Sequence, residues 1–210
     1  MLLPFADTLQ SHYRICKLAG EEEVAVSAPI SLLTPIYDLP ASEEDLAQEL
    51  LPLVSREDQI IYAMVRDLDG KYAIPVNAML TSTGESEART PLGAFEIHRK
   101  REWVTWIEHE PGAVDEEGNA LYSQYSNYNL DFHENLKTHS VIFNSKSHDK
   151  PLFNMRSQLG RAVSGGCLRL TVTDAKWLYD RFDVGDYIEI VDGTKHPTLK
   201  QQLKDTLPEI

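Results

Sequence analysis

The sequence predicts a mainly β fold with a few helices, and three features carry that prediction. The run QIIYAMVRDLDGKYAIPVNAMLTS, residues 59–82, sets two stretches rich in β-branched and aromatic residues on either side of Asp69-Gly70. That dipeptide tolerates the positive φ of a tight hairpin turn, so the two stretches are expected to pair as antiparallel strands. Further on, AFEIHRK, WVTWIEH, QYSNYNLDF, THSVIFN and DYIEIVDG are short β-rich runs separated by polar loops. Helices are expected where Ser42 with Asp45, and Thr171 with Asp174, form capping-box patterns ahead of apolar residues at helical spacing.

Taken in chain order, VAVSAPISLLTPIYDLP reads as an extended stretch broken by prolines. The pattern SEEDLAQELLPLV, residues 42–54, brings Leu46, Leu50 and Leu51 to one helical face and ends near Pro52. Residues 1–56 are therefore an appended segment with a short helix. The hairpin follows, then the turn TGESEARTPLG leads into AFEIHRK and WVTWIEH, and a loop rich in Gly, Glu and Asn precedes QYSNYNLDF and THSVIFN. TDAKWLYDRF is a helix of about ten residues, and DYIEIVDG closes the main domain, residues 57–192. Residues 193–210 are a tail. No internal repeat or low-complexity tract interrupts this order.

A chain of 210 residues with 42% hydrophobic content can bury one sizeable core. Its 33 acidic against 20 basic side chains give a formal charge of −13. Such a surface repels phosphate backbones and anionic lipid, which sets aside nucleic acid and membrane surfaces as partners. Two cysteines, Cys16 and Cys167, make neither a disulfide framework nor a four-thiolate metal site, although one bridge between them stays open. No run approaches the roughly 20 apolar residues of a membrane span. The opening MLLPFADTLQ lacks the basic start and apolar stretch of an export signal, so an exported protein would already have lost one.

Chemistry concentrates in VSGGCLRL, residues 163–170. Gly165 and Gly166 permit a tight turn through which consecutive amides can converge on an oxyanion beside the Cys167 thiol. Arg169, two residues on, could clamp a carboxylate or carbonyl through two parallel bonds. The plainer alternative is a small buried cysteine after a flexible turn. A base is needed to decide between them, and the candidates are the 7 histidines at 12, 98, 109, 133, 139, 148 and 196. His139 stands at the head of a β-branched and aromatic run, where a strand fixes the direction of its imidazole, whereas His133 and His148 lie in polar, loop-like sequence. A zinc site on His133, His139 and His148 lacks the spacing of zinc motifs. Ser164 as nucleophile lacks the Gly-x-Ser-x-Gly setting.

These pieces together resemble a family. STGESEARTPLGAFEI is similar to the Ser-Thr-Gly and Thr-Pro-x-Gly-x-Phe segment of the L,D-transpeptidases with the YkuD-type catalytic domain. THSVIFN is similar to their His-Ser or His-Gly strand, and LGRAVSGGCLRLTVTDAKWLYD to their Ser-His-Gly-Cys-Ile-Arg-Leu and Asp-Ala-Lys-Trp-Leu-Tyr stretch. The order and separations agree from about residue 57 to 192, and residues 1–56 carry no resemblance. The resemblance implies a β-sandwich with a helix after the catalytic cysteine. It implies a thiol acyl transfer on peptidoglycan stem tetrapeptides. The cysteine attacks the carbonyl of the third, L-configured residue, expels the terminal D-alanine, and passes the acyl group to an amine of a neighbouring stem as a 3→3 cross-link. Carbapenem-type β-lactams would be covalent inhibitors, the cell envelope or the exterior the location, and no cofactor or metal would be required.

Carried over by position, the resemblance implies Cys167 as nucleophile, His139 as its base, and Ser140 as the residue that orients the imidazole through its carbonyl. Gly166 and Cys167 would supply oxyanion amides, Arg169 would position site or substrate, and Ser164 would support the turn. Thr90, Pro91, Gly93 and Phe95 would build the turn and strand beneath the site. Trp103 and Trp106 would pack or line the cleft, Trp177 and Tyr179 would serve core and helix surface, and Tyr122, Gln124 and Tyr125 would reach the donor peptide. One departure stands out: the family usually carries His before Gly-Cys, and this chain has Gly165. Three readings follow: a transpeptidase, an L,D-carboxypeptidase or cross-link hydrolase that passes the acyl group to water, and a catalytically weakened wall-binding module.

Overall fold

The computed structural model describes residues 50–207 apart from residues 68, 149, 150, 153, 154 and 194, together with four short strands upstream. Those four, β1 (His12–Tyr13), β2 (Cys16–Ala19), β3 (Glu22–Ala25) and β4 (Ile30–Ser31), pair β1 with β4 and β2 with β3. The rest is two sheets. The larger runs β7-β6-β5-β13-β8, with β5 Leu51–Ser55, β6 Ile60–Arg66, β7 Tyr72–Leu80, β8 Gly93–Glu96 and β13 Tyr187–Val191. The smaller runs β12-β11-β10-β9, with β9 Arg99–Ile107, β10 Gln124–His133, β11 Leu136–Ser140 and β12 Leu168–Leu170.

The hairpin read from Asp69-Gly70 is β6–β7, and Gly70 takes the positive φ, 78°, that the turn demands. Alternation along β6 sends Ile61 and Ala63 into one core and Ile60 into another, so this central strand is apolar on both faces. The main core joins Val54, Met79, Ile188 and Ile190 of the larger sheet to Leu130, Phe132, Leu168 and Leu170 of the smaller. Each such side chain removed from water contributes roughly 1.5–3 kcal/mol. Pro75 falls on the edge strand β7, beside a register shift, where its missing N–H costs no ladder bond to a further strand.

The helix expected after β12 is Val172–Arg181. Its N-cap Thr171 accepts from the Asp174 N–H at 3.1 Å and donates to Asp174 Oδ2 at 2.8 Å, the capping box read in the sequence. Ala175 and Leu178 carry its buried face into the main core, with Phe182 beyond its last turn.

Two sequence expectations change. The helix over residues 42–54 lies outside the described residues as far as residue 49, and its last part is not helix: Leu51–Ser55 is strand β5, hydrogen-bonded to β6 on one side and β13 on the other. Pairing with two neighbours outweighs the helical spacing of the leucines. Pro52 is tolerated because the β13 pairing begins only at Leu53. The tail over residues 193–210 holds a second helix, Pro197–Asp205, with Pro at its first turn. Leu199 and Leu203 pack it, with Leu207, against Ile60, Leu80 and Leu159 on the outer face of the larger sheet.

Candidate active site

Strands β11 and β12 run parallel with Thr138 opposite Leu168 and His139 opposite Arg169. Because side chains alternate along a strand and paired residues point the same way, Lys137 and His139 share one face with Cys167 and Arg169. Leu168 and Leu170 turn to the other face and enter the main core. The sheet thus holds the thiol and the imidazole on one surface while anchoring their neighbours in apolar packing.

The turn before Cys167 is tied down at every step. Ser164 Oγ donates to Cys167 O at 2.7 Å and accepts from the Gly166 N–H at 3.0 Å. Thr90 Oγ donates to Gly166 O at 2.7 Å and accepts from the Gly84 N–H at 2.9 Å. Ser82 and Arg169 exchange main-chain bonds at 3.1 Å, and Ser164 N–H donates to Thr83 O at 3.0 Å. The Ser-Thr-Gly stretch that leaves β7 is therefore the floor on which the turn before Cys167 rests, with the Ser164 and Thr90 hydroxyls bonded into that turn. The Gly166 amide is engaged by Ser164 Oγ, which corrects the expectation that it points at an oxyanion; the Cys167 amide is the remaining one of the pair.

The two turn glycines differ. Gly166 has φ 137°, and a Cβ there would stand 2.4 Å from Arg89 O and 2.8 Å from Leu136 Cδ2. A Cβ on Gly165 meets nothing within 4 Å. Gly166→Ala should therefore cost roughly 2–4 kcal/mol in a denaturant titration, from a backbone that L-residues avoid plus a backbone clash. Gly165→His, which restores the family's usual residue, should change stability by no more than about 0.5 kcal/mol. Equal midpoints for the two variants would contradict this geometry.

His139 is 1% exposed, and its Nδ1 lies 2.5 Å from Ser140 O. A carbonyl only accepts, so Nδ1 carries the hydrogen and Nε2 keeps its lone pair. The Ser140 carbonyl thus fixes the direction of the imidazole. Burial, with the charges of Arg169 and Lys137, pushes the imidazole down to about 3 against the raising effect of the Ser140 bond. Trp106 covers the imidazole, with ring centroids 5.2 Å apart, and its Nε1–H is fixed on Ser126 Oγ at 2.9 Å. Ser126 is fixed in turn by Asn129, 2.6 Å away. Trp106 thus packs over the His139 ring.

Cys167 is a free, half-buried thiol whose Sγ–H donates to Asn135 O at 3.9 Å. Burial pushes it above the ordinary thiol range; the Lys137 N–H and the charges of Lys137 and Arg169 pull the other way, and Asp131 adds to the rise. Both shifts favour the neutral forms of thiol and imidazole.

Arg169 gives Nη1 to Gln158 Oε1 at 2.6 Å, which fixes the side chain within the protein, while its Nε is buried without a hydrogen-bond partner among the described residues. Tyr122 is 55% exposed, and Gln124 and Tyr125 open β10 opposite Ile107 and Thr105 of the strand that carries Trp106. His133 packs on the Phe95 ring at 4.7 Å and His148 stacks on Trp103 at 5.5 Å, so each serves an aromatic contact. Sequence reasoning passed over Lys137, Asp131 and Gln158. Lys137 was legible as the residue two before His139, which alternation puts on the same face.

A family model described as "L,D-transpeptidase catalytic domain" matches residues 53–190. No curated protein matches the chain. Among solved structures, an L,D-transpeptidase from Mycobacterium smegmatis is 24% identical with a TM-score of 0.49, covering 69% of this chain and 59% of its own. L,D-transpeptidase 1 of Mycobacterium tuberculosis is 21% identical with a TM-score of 0.43, covering 68% and 58%. L,D-transpeptidase 3 of the same organism, in complex with a faropenem-derived adduct, is 20% identical with a TM-score of 0.45, covering 68% and 60%. The chain spans about three fifths of the length of these neighbours.

Proposed function

Because the chain belongs to the L,D-transpeptidase catalytic-domain family, we propose that it transfers acyl groups of peptidoglycan stem peptides through Cys167. The observation that carries this reading is the neutral imidazole with Nδ1–H fixed on Ser140 O and Nε2 unprotonated, on the strand beside a free thiol.

Nε2 takes the thiol proton as Sγ attacks the carbonyl of the third stem residue. The tetrahedral oxyanion is met by the Cys167 N–H, on a turn held by the Ser164 and Thr90 hydroxyls. Collapse returns the proton to the leaving D-alanine amine and leaves a thioester. The amine of a second stem then attacks the thioester, gives its proton to Nε2, and releases Sγ, closing a 3→3 link. Arg169 steadies the site through Gln158. A β-lactam carbonyl is an acyl donor of the same kind, so carbapenems should leave a stable thioester on Cys167. The substrate places the work in the cell envelope, outside the cytoplasmic membrane.

The test is to incubate the protein with a disaccharide tetrapeptide and weigh the products. Cross-linked dimer with loss of alanine supports transfer. Tripeptide alone assigns hydrolysis with water as acceptor, and unchanged tetrapeptide sinks both.

A further inference from the structure

Lys137 is 5% exposed, yet among the described residues it forms no ion pair. Asp131 stands opposite it in the β10–β11 ladder, but its Oδ2 is taken by Arg101 Nη2 at 2.5 Å, and its buried Oδ1 makes no hydrogen bond among the described residues. The buried ammonium instead donates to Asn135 O at 2.6 Å and lies over the Trp106 ring, 4.6 Å from its centroid. Asn135 O is the same oxygen that accepts from Cys167 Sγ at 3.9 Å. Ammonium and sulfur are therefore no farther apart than those two distances laid end to end. The register opposite Leu168 also puts the Lys137 main chain beside Cys167, where its N–H reaches the sulfur. A buried cation is costly unless charge meets it. Of the negative charges formed during the reaction, the thiolate is the one whose sulfur shares the Asn135 carbonyl with this ammonium.

We propose that Lys137 is a positioning residue of the nucleophile: its ammonium, held on the carbonyl that also accepts from the thiol, stabilises the Cys167 thiolate formed as the proton passes to His139. The inference rests on Cys167 being the nucleophile. Atoms and charge balance, since one proton moves from Sγ to Nε2 and the lysine only compensates the negative sulfur left behind. When the S–H bond to Asn135 O is lost, the ammonium beside that oxygen is already in place. The other charged groups that bear on the sulfur are Arg169 of its own segment, which also favours the thiolate, and Asp131 of β10, which opposes it; His139, opposite Arg169 in the β11–β12 ladder, is the proton acceptor of the proposed mechanism.

Rates of Cys167 alkylation by neutral iodoacetamide and anionic iodoacetate, resolved by peptide mapping across pH, test this without any stem peptide. Wild type, Lys137→Met and Lys137→Arg are compared, with circular dichroism confirming the fold. Lys137→Met should raise the alkylation midpoint by about one pH unit and lower the iodoacetate-to-iodoacetamide rate ratio about fivefold. Lys137→Arg should keep both close to wild type, a rescue that packing alone does not predict. Should Lys137→Met leave the midpoint and the ratio unchanged while wild type reacts readily, the lysine has no such role and the nucleophile assignment stands. Should wild-type Cys167 resist both reagents throughout, the nucleophile assignment falls and this inference with it.

Discussion

Cys167→Ala is expected to reduce stem-peptide turnover by at least about 10⁴-fold and to abolish the covalent mass increase on exposure to a carbapenem. Ser164, the nearest hydroxyl in sequence, is already committed: it spends its hydrogen on Cys167 O at 2.7 Å and takes the Gly166 N–H at 3.0 Å. Stability should move by no more than about 1 kcal/mol, because the thiol is half-buried and its hydrogen bond to Asn135 O is long. Intact-mass spectrometry with wild type alongside reads the adduct, and thermal unfolding reads the fold. An adduct that survives in the alanine variant would move the nucleophile elsewhere and end the acyl-enzyme reading.

Much of this arrangement was legible in the residues because local rules and tertiary demands agreed. Asp69-Gly70 dictated a hairpin and Thr171 with Asp174 dictated a helix start, and both stand where turn and capping chemistry put them. Motif order put His139 and Cys167 on neighbouring segments, and the parallel register sets His139 opposite Arg169, two residues past the cysteine. What escaped the sequence is what only neighbours decide. Leu51–Ser55 has leucines at a spacing that suits a helix, yet two flanking strands claim its backbone. Helix Pro197–Asp205 buries no residue fully, so its apolar stripe of Leu199 and Leu203 was too thin to stand out from a tail. The Gly166 amide looked available until the Ser164 hydroxyl was placed beside it. Lys137 carries no motif of its own, and only the sheet reveals it buried with its main chain beside the sulfur.

His139→Asn is the second variant expected to have a large effect, and it separates the base from the scaffold. The asparagine amide can still donate toward Ser140 O from the position of Nδ1, but nothing replaces the Nε2 lone pair. The rate of acylation should fall about 10³-fold with substrate affinity little changed, as expected for loss of a general base. The pH dependence of stability should change as well, and its sign is fixed by the burial of the ring. The folded imidazole is held down to about 3 from an ordinary 6.5, so between those values the unfolded chain takes up a proton that the folded chain refuses. This contribution to stability is intact above about pH 6.5 and is lost as pH falls, at up to about 1.4 kcal/mol per pH unit. His139→Asn should flatten that slope in denaturant titrations between pH 6.5 and 4, and wild-type acylation should show no acid limb near 6.5. An acid limb at 6.5 in wild type, or an unchanged slope in the variant, would mean that the ring is charged or exposed at rest, and proton transfer from Cys167 to His139 would lose its physical basis.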